Sequence, residues 1–318
     1  MELLEVIRPG MLTTVQDLGR ADYQVYGISA GGAMDALSLR LANMLAGNKE
    51  DDAALEVTLT GPELKFVRDG IIAIAGGDLC PELNGKKVSV WRTFRVAKGD
   101  ILNFKQAQDG GCRAYIAAAG GIDVPLVMGS RSTFIRGSYG GFHGRALKAG
   151  DVISAGISRH SDPGCLTGRS LPPDFKPDFR EERPVRFILG PQADAFTEDT
   201  IQAFTSSGYT ISNQSDRMGY RLEGNVLAHI NGPDIISDYI TVGSIQIPGD
   251  GQPIVLMADC QMTGGYTKIG VVISTDLPYL AQKKPGDTVR FEQIGIDQAH
   301  RLWKQQEQRL SLLKINNL

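Results

Sequence analysis

Ile71-Ile72-Ala73-Ile74-Ala75, an apolar run set between Asp69-Gly70 and Gly76-Gly77, decides the fold class of this chain. A run this short, rich in isoleucine and bounded by glycine, reads as a buried β-strand. Working outward, Ile101-Leu102-Asn103-Phe104 and Ala114-Tyr115-Ile116-Ala117-Ala118 repeat the pattern. With 38 glycines and 15 prolines in 318 residues, tight turns are frequent, which favours short strands over long helices. One helix interrupts the strands. Asp35 is placed to cap it, Leu37, Leu41, Met44 and Leu45 share one face, and Gly47-Asn48 closes it. Alternating βαβ order is absent, which argues against Rossmann and P-loop architectures.

The length suits about two domains. The span 158–184 holds five prolines, many charges and little periodicity, so a linker is expected there, between one lobe over 1–157 and another over 185–318. In the second lobe Val185–Leu189, Tyr209–Asn213, Pro253–Met257 and Ile269–Ser274 are strand candidates. From Asp297 a terminal helix places Leu302, Trp303, Leu310 and Leu313 near one face, which docks either on its own domain or on a partner subunit. Lys98-Gly99-Asp100, Ala149-Gly150-Asp151 and Pro285-Gly286-Asp287 each put Gly-Asp before a β-like pair. This echo is ordinary hairpin chemistry and is also compatible with two related barrels in tandem.

Composition narrows the function classes. Hydrophobic content of 42% and charged content of 22% describe a soluble globular protein. A net charge of −3 provides no field that draws nucleic acid or a membrane surface. The four cysteines are scattered without a CxxC pair, and the four histidines lack metal-site spacing, so reduced thiols and no metal are expected. The N-terminus has no signal-peptide core and no apolar run approaches a membrane span, so a cytoplasmic location is expected.

Three polar, glycine-punctuated segments are candidate sites. Ser215-Asp216-Arg217-Met218-Gly219-Tyr220-Arg221-Leu222 packs one carboxylate and two guanidinium groups around a glycine. An Arg fork holds a carboxylate or phosphate through paired hydrogen bonds, and an adjacent Asp can orient it; a charged surface turn is the plain alternative. Thr13-Thr14-Val15-Gln16-Asp17-Leu18-Gly19-Arg20 repeats the acid, glycine and Arg, and Gly31-Gly32-Ala33-Met34-Asp35 follows it. The latter either receives an anion at the helix N-terminus or is a glycine turn with Asp35 as cap. Gln261-Met262-Thr263-Gly264-Gly265-Tyr266-Thr267-Lys268 reads as an oxyanion or carboxylate pocket on a strand-to-strand turn, or as a plain hairpin. A Walker-A loop, a GxSxG elbow and a Met-Lys-Met biotin-attachment sequence are all missing, so this chain carries no covalent biotin.

Thr13–Arg20, Gly31–Asp35, Ala54–Glu56 with Leu59-Thr60-Gly61-Pro62, Gly120-Gly121-Ile122, Ser215–Leu222 and Gly264-Gly265-Tyr266 occur in the order of one family. The chain resembles the allophanate-hydrolase-subunit-2 or urea-amidolyase-related family, from about Val6 to Phe291. Its bacterial stand-alone members are the C subunit of ATP-dependent 5-oxoprolinase. The resemblance implies a mainly β protein of two tandem cyclophilin-like β-barrel lobes, with a few short helices and the C-terminal helix. It also implies work with the A and the KipI-like B subunits of that enzyme, opening 5-oxo-L-proline to L-glutamate with hydrolysis of ATP. Two other roles occur among relatives: the carboxyltransferase component of a biotin-dependent urea carboxylase-like system, and antagonism of an inhibitor of a sporulation kinase. The residues expected to act on a developing anion or its proton are Arg217, Asp216, Lys268, Asp17 and Arg20. Those expected to bind substrate are Gln16, Met34, Asp35, Ser215, Gln261, Gly264, Gly265 and Tyr266. The ATP site is expected on a partner subunit or shared with one.

Overall fold

The computed structural model describes residues 1–105 and 110–315, so positions 316–318 of the lobe expected over 185–318 lie outside the described residues. The chain forms two compact units. The first takes Met1–Arg20, Gly31–Arg180 and the chain from Arg309; the second takes Ala21–Ala30 and Glu181–Gln308.

The first unit contains β1 (Glu2–Arg8), β2 (Leu12–Gln16), α1 (Ala36–Leu45), β3 (Ala54–Thr58), β4 (Glu63–Phe66) and β5 (Gly70–Gly76). After these come β6 (Pro81–Leu83), β7 (Lys86–Lys87), β8 (Arg92–Val96), β9 (Ile101–Phe104), β10 (Arg113–Ala118) and β11 (Val152–Ser154). They build a six-stranded sheet, ordered β11-β1-β4-β9-β6-β7, and a five-stranded sheet, ordered β2-β3-β10-β5-β8. Leu4, Val6, Leu64, Phe66 and Leu102 of the first sheet share one core with Val15, Leu55, Val57, Ile72, Ile74 and Ile116 of the second. On its other face the five-stranded sheet presents Ala54, Ala73, Ala75 and Ala117 to Leu41 and Leu45 of α1. The run at 71–75 is therefore buried on both faces, with Ile72 and Ile74 toward the opposing sheet and Ala73 and Ala75 under the helix. Small residues on that face let the helix lie close to the strands.

The part of the span 158–184 up to Arg180 belongs to this unit. Leu166 is fully buried, and Leu171 and Phe179 join the cluster under α1. Thr93 on β8 donates its hydroxyl to the Leu166 carbonyl at 2.5 Å, and Arg92 bridges to Ser170. Leu310 and Leu313, near the end of the terminal helix α4 (Ile296–Ile315; α2 and α3 are described below), complete the same cluster, while Trp303 is 48% exposed. Lys314 pairs with Glu50.

The second unit holds β12 (Val185–Leu189), α2 (Glu198–Ser206), β13 (Gly208–Ile211), β14 (Gly219–Glu223), β15 (Asp234–Tyr239) and β16 (Ser244–Gln246). It continues with β17 (Ile254–Leu256), β18 (Thr263–Tyr266), β19 (Lys268–Val272), α3 (Leu277–Ala281) and β20 (Thr288–Gln293). Seven strands close into a barrel, ordered β12-β19-β16-β17-β14-β13-β20. Closure comes from β20 running parallel to β12, with Val185 opposite Phe291, and it leaves no open sheet edge. Phe187, Phe204, Tyr209 and Phe291 form an aromatic core, in which the Phe204 and Phe291 rings stack at 4.6 Å. Strands β15 and β18 form a separate two-stranded ribbon.

One buried ion cluster ties the first strand of the barrel to the segment before α3. Asp276, 0% exposed, accepts from Arg186 Nη2 at 2.6 Å, Arg186 Nε at 2.9 Å and the Arg186 backbone N–H at 2.8 Å. Arg183 adds an ion pair at 3.0 Å and stacks on the Tyr279 ring. Among the described residues no helix is long and apolar enough to cross a membrane.

Candidate functional site

In the first unit, Gln16, Asp17 and Arg20 come together against the loop 127–140. Asp17 Oδ1 accepts from Ser130 Oγ at 2.6 Å, Ser132 Oγ at 2.5 Å and the Gly19 N–H at 2.8 Å, while Oδ2 accepts from the Arg131 N–H at 2.5 Å. A carboxylate surrounded by this many donors fastens the loop. Arg20, 2% exposed, donates to the carbonyls of Ser132 at 2.5 Å and Val127 at 3.3 Å and lies over the Tyr139 ring at 5.0 Å. Gly140 permits this approach, since a Cβ there would stand 2.1 Å from the Ser132 carbonyl oxygen. Gln16 donates Nε2 to the Thr133 carbonyl at 3.2 Å, and its buried Oε1 has no hydrogen-bond partner among the described residues.

Asp35 caps α1, accepting from the Ser38 N–H at 2.8 Å and the Ser38 hydroxyl at 2.6 Å. The adjoining backbone donors are also engaged. Met34 N–H donates to Glu56 Oε2 at 2.8 Å, and Asp35 N–H donates to Tyr115 Oη at 2.8 Å. Tyr115 Oη in turn donates to Glu56 Oε2 at 2.7 Å. Of the two readings of Gly31–Asp35, the structure displays the cap, and the anion beside the helix start is the chain's own Glu56, 1% exposed. Burial, and then the charges of Glu56 and Asp35, push the Tyr115 phenol well above its ordinary range, so it stays a neutral donor. Tyr115→Phe is expected to cost about 1–3 kcal/mol of stability, because the Asp35 N–H loses its acceptor and Glu56 loses a donor. Urea denaturation checks this; a shift below about 0.3 kcal/mol would mean that the hydroxyl contributes nothing.

In the second unit, Ser215 and Asp216 close the turn between β13 and β14. Arg221 N–H donates to Ser215 Oγ at 3.0 Å, and Met218 N–H donates to Asp216 Oδ1 at 2.8 Å. Arg217 also finds an acid far along the chain, Asp259 in the loop after β17. Arg217 Nε meets Asp259 Oδ2 at 2.8 Å and Nη2 meets Oδ1 at 3.0 Å, with the two residues 6% and 5% exposed. Asp216 Oδ1 also accepts from the Gly219 N–H at 3.3 Å, which closes the turn. Burial, together with the Asp259 charge, pushes the Cys260 thiol up to about 12, so it stays protonated at neutral pH. Gln261, half-buried, follows in this loop, which leads into β18.

Gly264, Gly265 and Tyr266 lie inside strand β18, opposite β15, rather than on a strand-to-strand turn. The reason is packing: a Cβ at Gly264 would stand 2.5 Å from Ile240 Cδ1 and 2.7 Å from Gln246 Nε2, so glycine lets the ribbon lie against the barrel. Lys268 begins the next strand with its side chain 3% exposed, and its Nζ meets Asp238 Oδ2 at 2.6 Å and the Tyr239 carbonyl at 3.0 Å. Hydrogen bonds from Lys268 and the Tyr239 N–H hold the Asp238 carboxyl below its usual range. The second-unit residues are thus linked along the chain and by bonds, from the β13–β14 turn through Arg217–Asp259 to β18 and Lys268.

Sequence reasoning missed Asp259, Asp238, Tyr115 and the serines at 130 and 132 as partners. Glu56 carried a usable signal, an acid inside the apolar run Ala53-Ala54-Leu55-Glu56-Val57. Among the described residues no cluster of three or more His, Cys, Asp or Glu side chains is disposed to hold a metal.

A family model described as the carboxyltransferase domain, subdomain A and B, matches residues 26–293. The C subunit of 5-oxoprolinase from Escherichia coli (strain K12) is 39% identical over 299 residues, which cover 93% of this chain and 93% of that protein. The urea amidolyase of Lachancea kluyveri is 36% identical over 99% of this chain but only 18% of its own length. The crystal structure of the K. lactis urea amidolyase superposes with a TM-score of 0.91 at 32% identity, covering 98% of this chain and 20% of that one. On these matches and the mainly β fold with its closed barrel, the chain belongs to the carboxyltransferase-domain family of subdomains A and B, with homologues named as the C subunit of 5-oxoprolinase and relatives among the urea amidolyases.

Proposed function

We propose that this chain is the C subunit of a multi-subunit, ATP-dependent 5-oxoprolinase that opens 5-oxo-L-proline to L-glutamate and turns over only with its partner subunits. The observation that carries this reading is the match to the C subunit of a 5-oxoprolinase over 93% of both chains, where the urea amidolyase match spans a small fraction of a larger protein. The partners are the A and the KipI-like B subunits, in the cytoplasm, and ATP binds on a partner or on a surface shared with one. A five-membered lactam is a stabilised amide, so its opening needs the carbonyl activated. In this reading the lactam oxygen takes the γ-phosphoryl group of ATP as ADP leaves. Water adds to the activated carbon, and the C–N bond breaks with protonation of nitrogen to leave an acyl phosphate. A second water hydrolyses this to the carboxylate and free phosphate. This chain supplies anion-holding donors, with Arg217, Arg20 and Lys268 as candidates and Asp216 and Asp17 as their acidic neighbours.

The test is to mix the purified chain with the A and B subunits, then measure glutamate release from 5-oxoproline. Turnover is expected only in the full mixture with ATP. A mixture that is inert toward 5-oxoproline but carboxylates urea when a biotin carboxylase component is added would favour the second reading, carboxyl transfer. The TM-score of 0.91 to a urea amidolyase supports that alternative.

A further inference from the structure

Two donors lie side by side where the β15–β18 ribbon covers the barrel. Gln246 on β16 is the register partner of Lys268 on β19. Both are nearly sealed from solvent, at 3% and 2% exposure. Gln246 Nε2 is buried without a hydrogen-bond partner among the described residues. A buried amide donor left this way is unfavourable, and it persists where a site is built for an acceptor that comes from outside. Gly264 keeps a side chain out of this position, since a Cβ there would stand 2.7 Å from Gln246 Nε2.

The Lys268 ammonium is balanced by Asp238, whose side chain is 47% exposed, so the counter-charge sits at the solvent boundary while the ammonium does not. The ribbon is loosely registered there: its pairing shifts between Asp234 and Asp238. Gln192 Nε2 reaches the same Asp238 oxygen at 3.3 Å, and Gln192 Oε1 accepts from the Lys268 N–H at 3.3 Å. An inward ammonium, an unsatisfied amide donor and a single partly exposed carboxylate compose a site for one carboxylate, currently supplied by the chain itself.

We propose that Lys268 and Gln246 form a binding subsite for the carboxylate of a small molecule, and that Asp238 is the internal occupant which this ligand displaces. The identity of the ligand as 5-oxo-L-proline rests on the proposed function; the subsite itself does not. Lys268 Nζ takes one ligand oxygen in place of Asp238 Oδ2, and Gln246 Nε2 takes the other. The exchange replaces one charge-assisted bond by another and adds the missing acceptor. Asp238, freed at the ribbon edge, returns to water.

The test is calorimetric titration of the full chain with 5-oxo-L-proline, with urea as a probe that has the amide but no carboxylate. Binding of 5-oxo-L-proline and none of urea is expected. Asp238→Asn removes the competing charge and is expected to tighten binding by at least about threefold, whereas a purely structural Asp238 would leave affinity unchanged or lower it. Gln246→Leu is expected to weaken binding by about tenfold, and Gln246→Glu, which supplies a second internal carboxylate to Lys268, is expected to abolish it. Circular dichroism establishes that each variant is folded. Acetate serves as a plain carboxylate probe. No binding of either 5-oxo-L-proline or acetate at millimolar concentration, equal binding of urea, or unchanged or weaker binding by Asp238→Asn would each overturn the subsite. Binding of acetate without 5-oxo-L-proline would overturn only the identity of the ligand. If the titrations behave as expected while the mixed subunits release no glutamate, the subsite stands and the 5-oxoprolinase reading falls.

Discussion

Arg217→Ala is expected to lower the stability of the chain by about 3–5 kcal/mol and to stop glutamate release in the subunit mixture. The first effect follows from burial. Asp259 is 5% exposed and would be left buried without its bidentate guanidinium. Loss of turnover alone would therefore not place Arg217 in the chemistry. A paired replacement, Arg217→Met with Asp259→Leu, separates the two effects. Exchanging both ions for apolar groups of similar size is often neutral for stability, so urea denaturation should show most of the loss recovered. If glutamate release stays absent in that folded variant, the pair acts on a ligand or on the turn that meets one. If release returns, Arg217 is a fastener between the β13–β14 turn and the loop after β17, and it leaves the mechanism.

Asp276→Ala is expected to cost a similar amount, about 3–5 kcal/mol, because Arg186 and Arg183 lose a fully buried partner. The pH dependence has a definite sign. Burial pushes the Asp276 carboxyl up, but hydrogen bonds from the Arg186 side chain and backbone, with the Arg183 charge, outweigh it and hold the group below its usual range. A carboxyl depressed in the folded state contributes stability that is fully present above its unfolded value near about 4 and is lost as pH falls through the folded value. Wild-type protein should therefore lose urea resistance below about pH 4 more steeply than Asp276→Asn, which has no proton to take up there. Parallel profiles for the two proteins would show that Asp276 does not link protonation to folding.

The strand-rich class was legible because its signal is local. The runs at 71–75, 101–104 and 114–118 and the cap at Asp35 each announce themselves within a few residues. Partnerships across long separations were not. Arg217 finds Asp259 across 42 positions, and Asp17 finds Ser132 across 115, and neither distance leaves a mark in a single sequence. Gly264 and Gly265 show how a local rule misleads: paired glycines usually signal a turn, but here both lie in a strand, and Gly264 is needed because Ile240 and the barrel residue Gln246 lie directly behind it. The terminal helix was recognised by its stripe, yet its buried residues Leu310 and Leu313 serve the cluster under α1 and not the lobe that precedes it in sequence.

That last arrangement sets the timetable of synthesis. The core beneath α1 begins with Leu39, Leu41 and Leu45 and is finished by Leu171, Phe179, Leu310 and Leu313. A ribosome reaches the last two of these only after the strands of the second unit's barrel have been made, so the first unit waits, open on one side, until they emerge. Nonsense or frameshift changes just before Leu310 should therefore damage the first unit, whose strands were made long before.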